Sequence, residues 1–171
     1  MRKVLLLALV GLAAAPAAAQ APLGVFFRWA AFERGPQRQC YAVAAPVRNA
    51  GPADGPAYAS VGLWPERKLG PQLYLRLGGR RRAGSAVILR VDGRPFQLAG
   101  EGSNAWATNA RADAAIVAAI RTGVTMTVET RSQGGGRIRD RYVLRGAASA
   151  IDAAAFACAA RTSSSAGKRP D

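Results

Sequence analysis

Two cysteines, Cys40 and Cys158, are the only thiols in this chain of 171 residues, which contains no histidine. A reactive cysteine needs neighbours that stabilise its thiolate, most often a CxxC partner or a histidine, and the sequence provides neither. The lack of histidine also excludes Ser-His-Asp catalysis, Cys-His catalysis and histidine metal sites. Two widely separated cysteines cannot hold zinc, so we predict neither a metal site nor a cofactor.

Acidic side chains are the remaining route to catalysis, because a pair of carboxylates can hydrolyse a glycosidic bond. The candidates are Glu66, Asp92, Glu101, Asp113 and Asp140. A tight turn explains Asp92, the first turn of a helix explains Asp113, and the two glutamates fall in loops. Asp140 is predicted on the inner face of a strand, where a structural salt bridge or a frayed strand end is favoured over catalysis. We therefore predict a protein that is not an enzyme, with a carboxylate-dependent enzyme acting on a glycan as the alternative.

The densest charge run is Arg80, Arg81 and Arg82. It is either a solvated turn that discourages edge aggregation or a fork for phosphate or carboxylate.

A second group of arginines follows from a predicted hairpin around the five-residue turn "SQGGG". This turn would pair Arg131 with Arg137, Glu129 with Arg139 and Met126 with Tyr142, so that apolar side chains meet apolar ones. Alternate residues of the returning strand would then line its outer face. The hypothetical patch for an anionic ligand comprises Arg80, Arg81, Arg82, Arg137, Arg139 and Arg141.

The first twenty residues, "MRKVLLLALVGLAAAPAAAQ", indicate export. Arg2 and Lys3 precede an apolar run that is too short to span a membrane, and small residues that suit cleavage follow it. Residues 1–19 are predicted to be a signal peptide of a Gram-negative bacterium. No later run of 18 apolar residues appears, so no transmembrane span is expected in the mature chain, and we predict a periplasmic or secreted location.

Export changes the interpretation of the two cysteines, because an oxidising compartment favours a disulfide between them. Closing so long a loop would remove denatured-state entropy worth roughly 4–5 kcal/mol. Two free buried thiols and a reactive pair remain the alternatives.

The net charge indicates the class of partner. The chain carries 24 basic and 10 acidic residues, a net charge of +14, which falls to +12 once Arg2 and Lys3 are removed. This excess favours anionic surfaces, which in an envelope are lipopolysaccharide, phospholipid head groups and acidic glycans. Nucleic acid is not an expected partner outside the cytoplasm.

The elements that must position these residues are mostly short strands separated by glycine and proline. The first strand is predicted at 25–33, and "DGR" at 92–94 predicts a tight turn. One helix is predicted in "NARADAAIVAAIRTG", with Thr108 or Asn109 as the N-cap and Gly123 at the end. The tryptophans Trp29, Trp64 and Trp106 are too scattered to indicate a sugar platform, and each is expected to pack in the core or at its rim.

Together these elements predict one mainly β domain at 20–160. The fold is an antiparallel β-sandwich or Greek-key barrel with one inserted helix and a short C-terminal helix that carries Cys158. Residues 161–171 are predicted to be a disordered tail.

The C-terminal half, "DAAIVAAIRTGVTMTVETRSQGGGRIRDRYVLRGAASAIDA", resembles the invasion-associated locus B family of exported α-proteobacterial proteins. The matching positions are Gly123, Leu144, Gly146, Ala150, Ile151 and Asp152. Looser similarity extends through the Trp29 strand, Cys40, "LYLRL" and "AVILRVDGRPFQL". The resemblance implies export, an immunoglobulin-like sandwich and, for some members, involvement in host-cell entry. Many members also carry a local cysteine pair before the helix, where this chain has "AGEGSNAWATNA".

The leading hypothesis is therefore an exported, non-enzymatic β-sandwich that binds an anionic envelope component or a partner protein. The alternative is a structural envelope or assembly factor that recognises protein through a sheet edge. The sequence predicts no oligomeric state.

Overall fold

The computed structural model describes residues 20–35, 39–50, 55–67 and 69–166. The predicted signal peptide, 1–19, and the last five residues of the predicted tail lie outside the described residues. Within this part of the chain, eleven strands form one antiparallel sheet, accompanied by two α-helices. The strands are β1 (Gln20–Phe26), β2 (Trp29–Arg34), β3 (Gln39–Ala44), β4 (Arg48–Ala50), β5 (Tyr58–Trp64), β6 (Leu69–Arg76), β7 (Val87–Val91), β8 (Arg94–Glu101), β9 (Asn104–Ala107), β10 (Thr125–Arg131) and β11 (Arg137–Val143). The helices are α1 (Ala110–Thr122) and α2 (Ala147–Ala166).

The strand order in the sheet is β1-β2-β3-β5-β6-β9-β8-β7-β10-β11-β4. One face of the strands from β2 to β11 contributes to a single buried cluster, in which Trp29, Leu75, Leu89 and Met126 are fully buried. A sheet whose inner face encloses one core must bend around it, so its two halves pack in a sandwich-like arrangement. The mainly β antiparallel fold with two helices is confirmed, while its immunoglobulin-like character stays a prediction.

Helix α1 lies between β9 and β10 and begins as predicted. The side chain of Asn109 accepts a hydrogen bond from the amide of Ala112 at 2.9 Å, which caps the first turn. Gly123 follows the last turn of the helix as predicted. Its φ of −80° is one that any residue can adopt, so packing explains why a glycine is needed here. A Cβ on Gly123 would lie 2.6 Å from Val91 Cγ1 and 3.0 Å from Leu144 Cδ1.

Helix α2 packs against β1, β2, β3 and β5. The inner side chains of these strands are small, with Ala31, Ala42 and Ala59 fully buried, so the helix approaches the sheet closely. Its own buried face repeats at helical spacing and consists of Ala147, Ala150, Ile151, Ala154 and Cys158. The helix is longer than the short one that was predicted. It continues past Arg161 to Ala166, because no glycine or proline interrupts the chain before Gly167.

The predicted disulfide is present and joins the two ends of the fold. Cys40 on the inner face of β3 is bonded to Cys158 of α2, with the Cα atoms 6.0 Å apart and a sequence separation of 118. No helix in the described part of the chain is both long enough and apolar enough to cross a membrane.

The single strand predicted at 25–33 is wrong, because the chain reverses there into the β1–β2 hairpin. The turn contains no glycine or proline, and Phe27 adopts a left-handed φ of 56°. The segment before α2 holds this turn: the Arg145 guanidinium lies 3.6 Å from the centroid of the Phe27 ring. A Cβ on Gly146 would lie 2.0 Å from the carbonyl oxygen of Phe26, so only glycine fits beneath the turn.

Candidate functional site

The β10–β11 hairpin carries the predicted arginines on its outer face. Arg131 pairs with Arg137, Glu129 with Arg139 and Thr127 with Arg141, which is the register expected from the sequence. Arg137, Arg139 and Arg141 are all exposed, whereas the residues between them are buried.

The 80–82 segment pairs with the end of β10, on the edge of that strand opposite to β11. The amide of Arg82 donates to the carbonyl of Arg131 at 2.8 Å, and the amide of Gln133 donates to the carbonyl of Arg80 at 2.8 Å. The segment thus acts as a short additional strand. It places Arg82 opposite Arg131, which is itself opposite Arg137, so three arginines form one row across the sheet.

Arg81 does not join this row. Its guanidinium donates to the carbonyls of Ser85 at 2.8 Å, Arg82 at 3.3 Å and Gly100. An arginine committed to three backbone oxygens stabilises the loop, and its neighbours Arg80 and Arg82 are exposed.

We call the resulting surface the basic face. It consists of Arg82, Arg90, Arg131, Arg137, Arg139 and Arg141. Arg90 belongs to it because it pairs with Thr127, the cross-strand neighbour of Arg141. Two carboxylates lie near these arginines: Glu129 binds Arg139 at 2.9 Å, and Asp92 accepts from the hydroxyl of Thr125 at the end of the face. Like charges opposite one another destabilise a sheet, so an anion bound across this face would relieve repulsion.

Two of the carboxylates considered for catalysis, Asp92 and Asp113, bind backbone amides, and Glu101 is exposed at the end of β8. Asp113 accepts from the amide of Leu73 at 2.8 Å, and Asp92 accepts from the amides of Val124 and Thr125, each at 2.8 Å. These two bonds lower the pKa of Asp92, whereas burial raises the pKa of Asp113. Each group thus has a structural role, tying a helix or a turn to a strand.

Asp140 is fully buried and was expected to form a salt bridge or to lie at a frayed end. It forms no salt bridge with the described residues and lies in the middle of β11. Its Oδ2 accepts from the amide of Gly78 at 2.8 Å, which links β11 to the chain after β6. Its Oδ1 and the hydroxyl of neighbouring Tyr142 have no hydrogen-bond partner among the described residues. Burial raises the pKa of Asp140, and burial together with the nearby Asp140 raises that of Tyr142. A buried carboxylate without a cation favours its neutral form.

The other half of the sheet carries a cavity that the sequence analysis missed. The outer positions of β2, β3, β5 and β6 form a groove with a volume of about 530 Å³. We call it the aromatic groove, and its rings are Phe32, Tyr41, Tyr58, Trp64 and Tyr74. All five side chains are half-buried.

The rings are arranged in contact. Phe32 and Tyr41 stack with centroids 5.6 Å apart, and Tyr58 and Tyr74 lie 5.9 Å apart at a tilt of 40°. The Tyr74 hydroxyl donates to Asn104 at 2.6 Å, and burial, with a contribution from Tyr58, raises the pKa of Tyr74. Its hydroxyl is therefore protonated at neutral pH.

Two of the tryptophans line a common hollow at one end of this groove. This hollow, of about 280 Å³, is lined by Trp64, Tyr74 and Trp106, and Trp106 is the cross-strand partner of Tyr74. The expectation that the tryptophans are scattered is wrong for Trp64 and Trp106, while Trp29 is a core residue as expected.

A sequence signal for the groove existed in the alternation of its strands. In "QCYAVA" and "YASVGLW" the aromatic residues occupy the parity opposite to the small buried alanines. Alternation predicts that the rings share a face within one strand. The order β3-β5-β6-β9, which places the strands side by side, is a property of the folded sheet.

Among the described residues, no group of three or more His, Cys, Asp or Glu side chains could hold a metal ion. When the chain is compared with known protein families, curated proteins and solved structures, none of them matches.

Proposed function

We propose that the protein is an exported, non-enzymatic binding protein whose basic face associates with an anionic component of the bacterial envelope. The ligand chemistry is a surface dense in phosphate or carboxylate, such as lipopolysaccharide, phospholipid head groups or an acidic glycan. The resemblance to the invasion-associated locus B family is consistent with export and belongs to this proposal.

The observation that carries the proposal is the convergence of arginines on one sheet face. Six guanidinium groups share that face with the carboxylates of Glu129 and Asp92, although the fold gains nothing from placing like charges opposite each other. Arginine is also the side chain best suited to bind phosphate and carboxylate in pairs of hydrogen bonds.

The structural roles of Asp92, Asp113 and Asp140 support a function without catalysis. Each uses its carboxylate to hold a backbone amide, and Asp140 is fully buried. The disulfide similarly gives both cysteines a structural role and supports export to an oxidising compartment.

The test compares two triple variants with the same net charge. Arg137→Ser/Arg139→Ser/Arg141→Ser removes three cations from the basic face, whereas the control removes three exposed arginines elsewhere, Arg28, Arg67 and Arg111. A cation near an anionic membrane contributes about 1 kcal/mol, so the first variant should lose about 100-fold in affinity. Binding to lipopolysaccharide, to vesicles with anionic lipid and to zwitterionic vesicles is measured by cosedimentation at two salt concentrations.

We expect binding to the anionic surfaces that weakens steeply with salt, since the screening length falls from about 30 Å at 0.01 M to about 8 Å at 0.15 M. The control variant should bind nearly as well as the wild type. Equal losses in the two variants, or no binding at low salt, would exclude the basic face as the site. Crosslinking in intact cells to one protein, unaffected by the arginine changes, would instead favour an assembly factor that binds through a sheet edge.

A further inference from the structure

The aromatic groove lies on the half of the sheet that does not carry the basic face, and the proposed function makes no use of it. The indole of Trp64 is held in place by a glycine. A Cβ on Gly62 would lie 2.5 Å from Cη2 of Trp64, so the indole occupies the space that any other side chain at 62 would fill. The β5–β6 register shifts between Gly62 and Trp64. A bulge of this kind re-aims a side chain, and here it folds the indole over the sheet.

The groove is shaped for a flat and extended ligand. Its rings follow one another across the sheet, with Phe32 opposite Tyr41, Tyr41 opposite Gly62 beneath the indole, and Tyr74 opposite Trp106. These residues span five neighbouring strands, or about 19 Å at the usual strand spacing. The cavity of about 530 Å³ falls within the range of small-ligand sites.

The lining combines ring faces with polar edges. Gln39, Ser60 and the tyrosine hydroxyls lie among the rings, and Val43 is the one branched aliphatic side chain in the described lining. An acyl chain would be buried against these rings but would leave the polar groups among them without partners. A pyranose ring matches it, because its C–H face stacks on an aromatic ring while its hydroxyls exchange hydrogen bonds at the edge.

The charge of the lining favours an acidic saccharide over a neutral one. Arg34 is the one charged side chain in the described lining of the groove, and its guanidinium lies 5.6 Å from the centroid of the Tyr41 ring. The guanidinium thus lies over the outer part of the Tyr41 ring, where it can bind the carboxylate of a sugar that reaches this end of the groove.

We propose that the aromatic groove binds an acidic oligosaccharide, with its rings stacked along Tyr41, Trp64 and Tyr74 and a carboxylate on Arg34. Aromatic grooves also bind proline-rich peptides in the polyproline II conformation. Proline has no charge for Arg34 to bind, so the saccharide fits the lining better.

The experiment titrates the protein with tetragalacturonate, with the neutral cellotetraose and with a proline-rich decapeptide, measured by calorimetry and tryptophan fluorescence. We expect tetragalacturonate to bind most tightly. Trp64→Ala should weaken it about tenfold or more by removing a stacked ring. Arg34→Gln should abolish the preference for tetragalacturonate over cellotetraose.

Two glycine variants test the arrangement of the rings without removing any of them. Gly62→Ala should displace the indole and weaken binding, whereas Gly70→Ala, on the neighbouring strand with nothing within 4 Å of its added Cβ, should leave binding unchanged. Circular dichroism identifies any variant that does not fold, and Gly62→Ala and Arg34→Gln still decide the case if Trp64→Ala is one of them.

The outcomes separate this proposal from that of the basic face. The basic face is itself proposed to bind acidic glycans, so tetragalacturonate is also titrated against the triple variant at Arg137, Arg139 and Arg141, in which Trp64→Ala and Arg34→Gln should have the same effects as in the wild type. Failure of tetragalacturonate to bind, tighter binding of cellotetraose, or equal binding by wild type and Gly62→Ala would overturn the acidic-saccharide assignment while leaving the proposal for the basic face in place. Binding of the decapeptide alone would assign the groove to a peptide and would likewise overturn it.

Discussion

The disulfide between Cys40 and Cys158 should supply a large share of the stability of this protein. The bond closes a loop of 118 residues, and the chain-entropy relation gives about 5 kcal/mol for a loop of that length. Domains of this size are stable by only about 5–15 kcal/mol. Loss of the bond should therefore bring the protein close to unfolding at physiological temperature.

The perturbation is made in two ways, by reduction with dithiothreitol and by the double variant Cys40→Ala/Cys158→Ala. Urea unfolding followed by tryptophan fluorescence gives the free energy of unfolding in each case. A loss of about 5 kcal/mol should lower Tm by roughly 10–20 °C. Thiol alkylation before and after reduction should label no cysteine and then two, which verifies the starting state.

Both cysteines are buried, and the reduced thiols would occupy nearly the same space as the disulfide. The change in stability on reduction therefore reports mainly the loss of the covalent link. A reduced protein that unfolds within about 1 kcal/mol of the oxidised one would refute the reasoning. It would mean that packing against the buried alanines of β2, β3 and β5 is enough to hold helix α2 on the sheet.

Three further predictions follow from single side chains. Burial raises the pKa of Asp140, so its stabilising contribution is complete below the unfolded-state pKa near 3.9 and is lost as the pH rises through the higher folded value. Asp140→Asn, which keeps an acceptor for Gly78, should therefore gain stability relative to the wild type between pH 4 and pH 7, and a pH-independent difference in urea midpoints would contradict this. Gly123→Ala should cost about 1–3 kcal/mol through overpacking, whereas Gly134→Ala, with nothing within 4 Å of the added Cβ, should be nearly neutral in the same assay. Trp29→Phe removes the bond from Nε1 to the Val143 carbonyl at 3.0 Å and should lower the free energy of unfolding by at least about 1–2 kcal/mol, and an unchanged value would show that this bond is not needed.

Those parts of the fold that depend on neighbouring residues were predictable from the sequence. The β10–β11 register follows from matching apolar and polar positions across a short turn, and the pairs Arg131 with Arg137 and Met126 with Tyr142 are as predicted. Helix α1 was visible from its periodicity and its Asn109 cap. The pairing of the two cysteines followed from the predicted compartment.

The parts that failed depend on contacts between distant segments. The Phe27 turn carries no local signal because Arg145 and Gly146 hold it from the far end of the chain. Arg81 and Arg82 are adjacent in sequence, yet one binds loop carbonyls and the other lies opposite Arg131. Only the crossing of the 80–82 segment onto the hairpin decides which arginine faces solvent.

The aromatic groove illustrates the same limit. Alternation within β3 and β5 places each ring on the outer face, but the spatial order of the strands brings Trp64 beside Tyr74 and Trp106. From the sequence alone, a glycine at 62 is expected to weaken its strand. The structure shows that Gly62 leaves the space that the Trp64 indole occupies.

The most direct test of the central claim, that the basic face binds an anionic surface, is arginine-specific footprinting. Phenylglyoxal modification of the wild-type protein, read by mass spectrometry with and without anionic vesicles, reports which guanidinium groups the surface covers. The basic face predicts protection of Arg137, Arg139 and Arg141 together, with Arg28 and Arg111 still reactive. Uniform protection of all five arginines, or none, would contradict it.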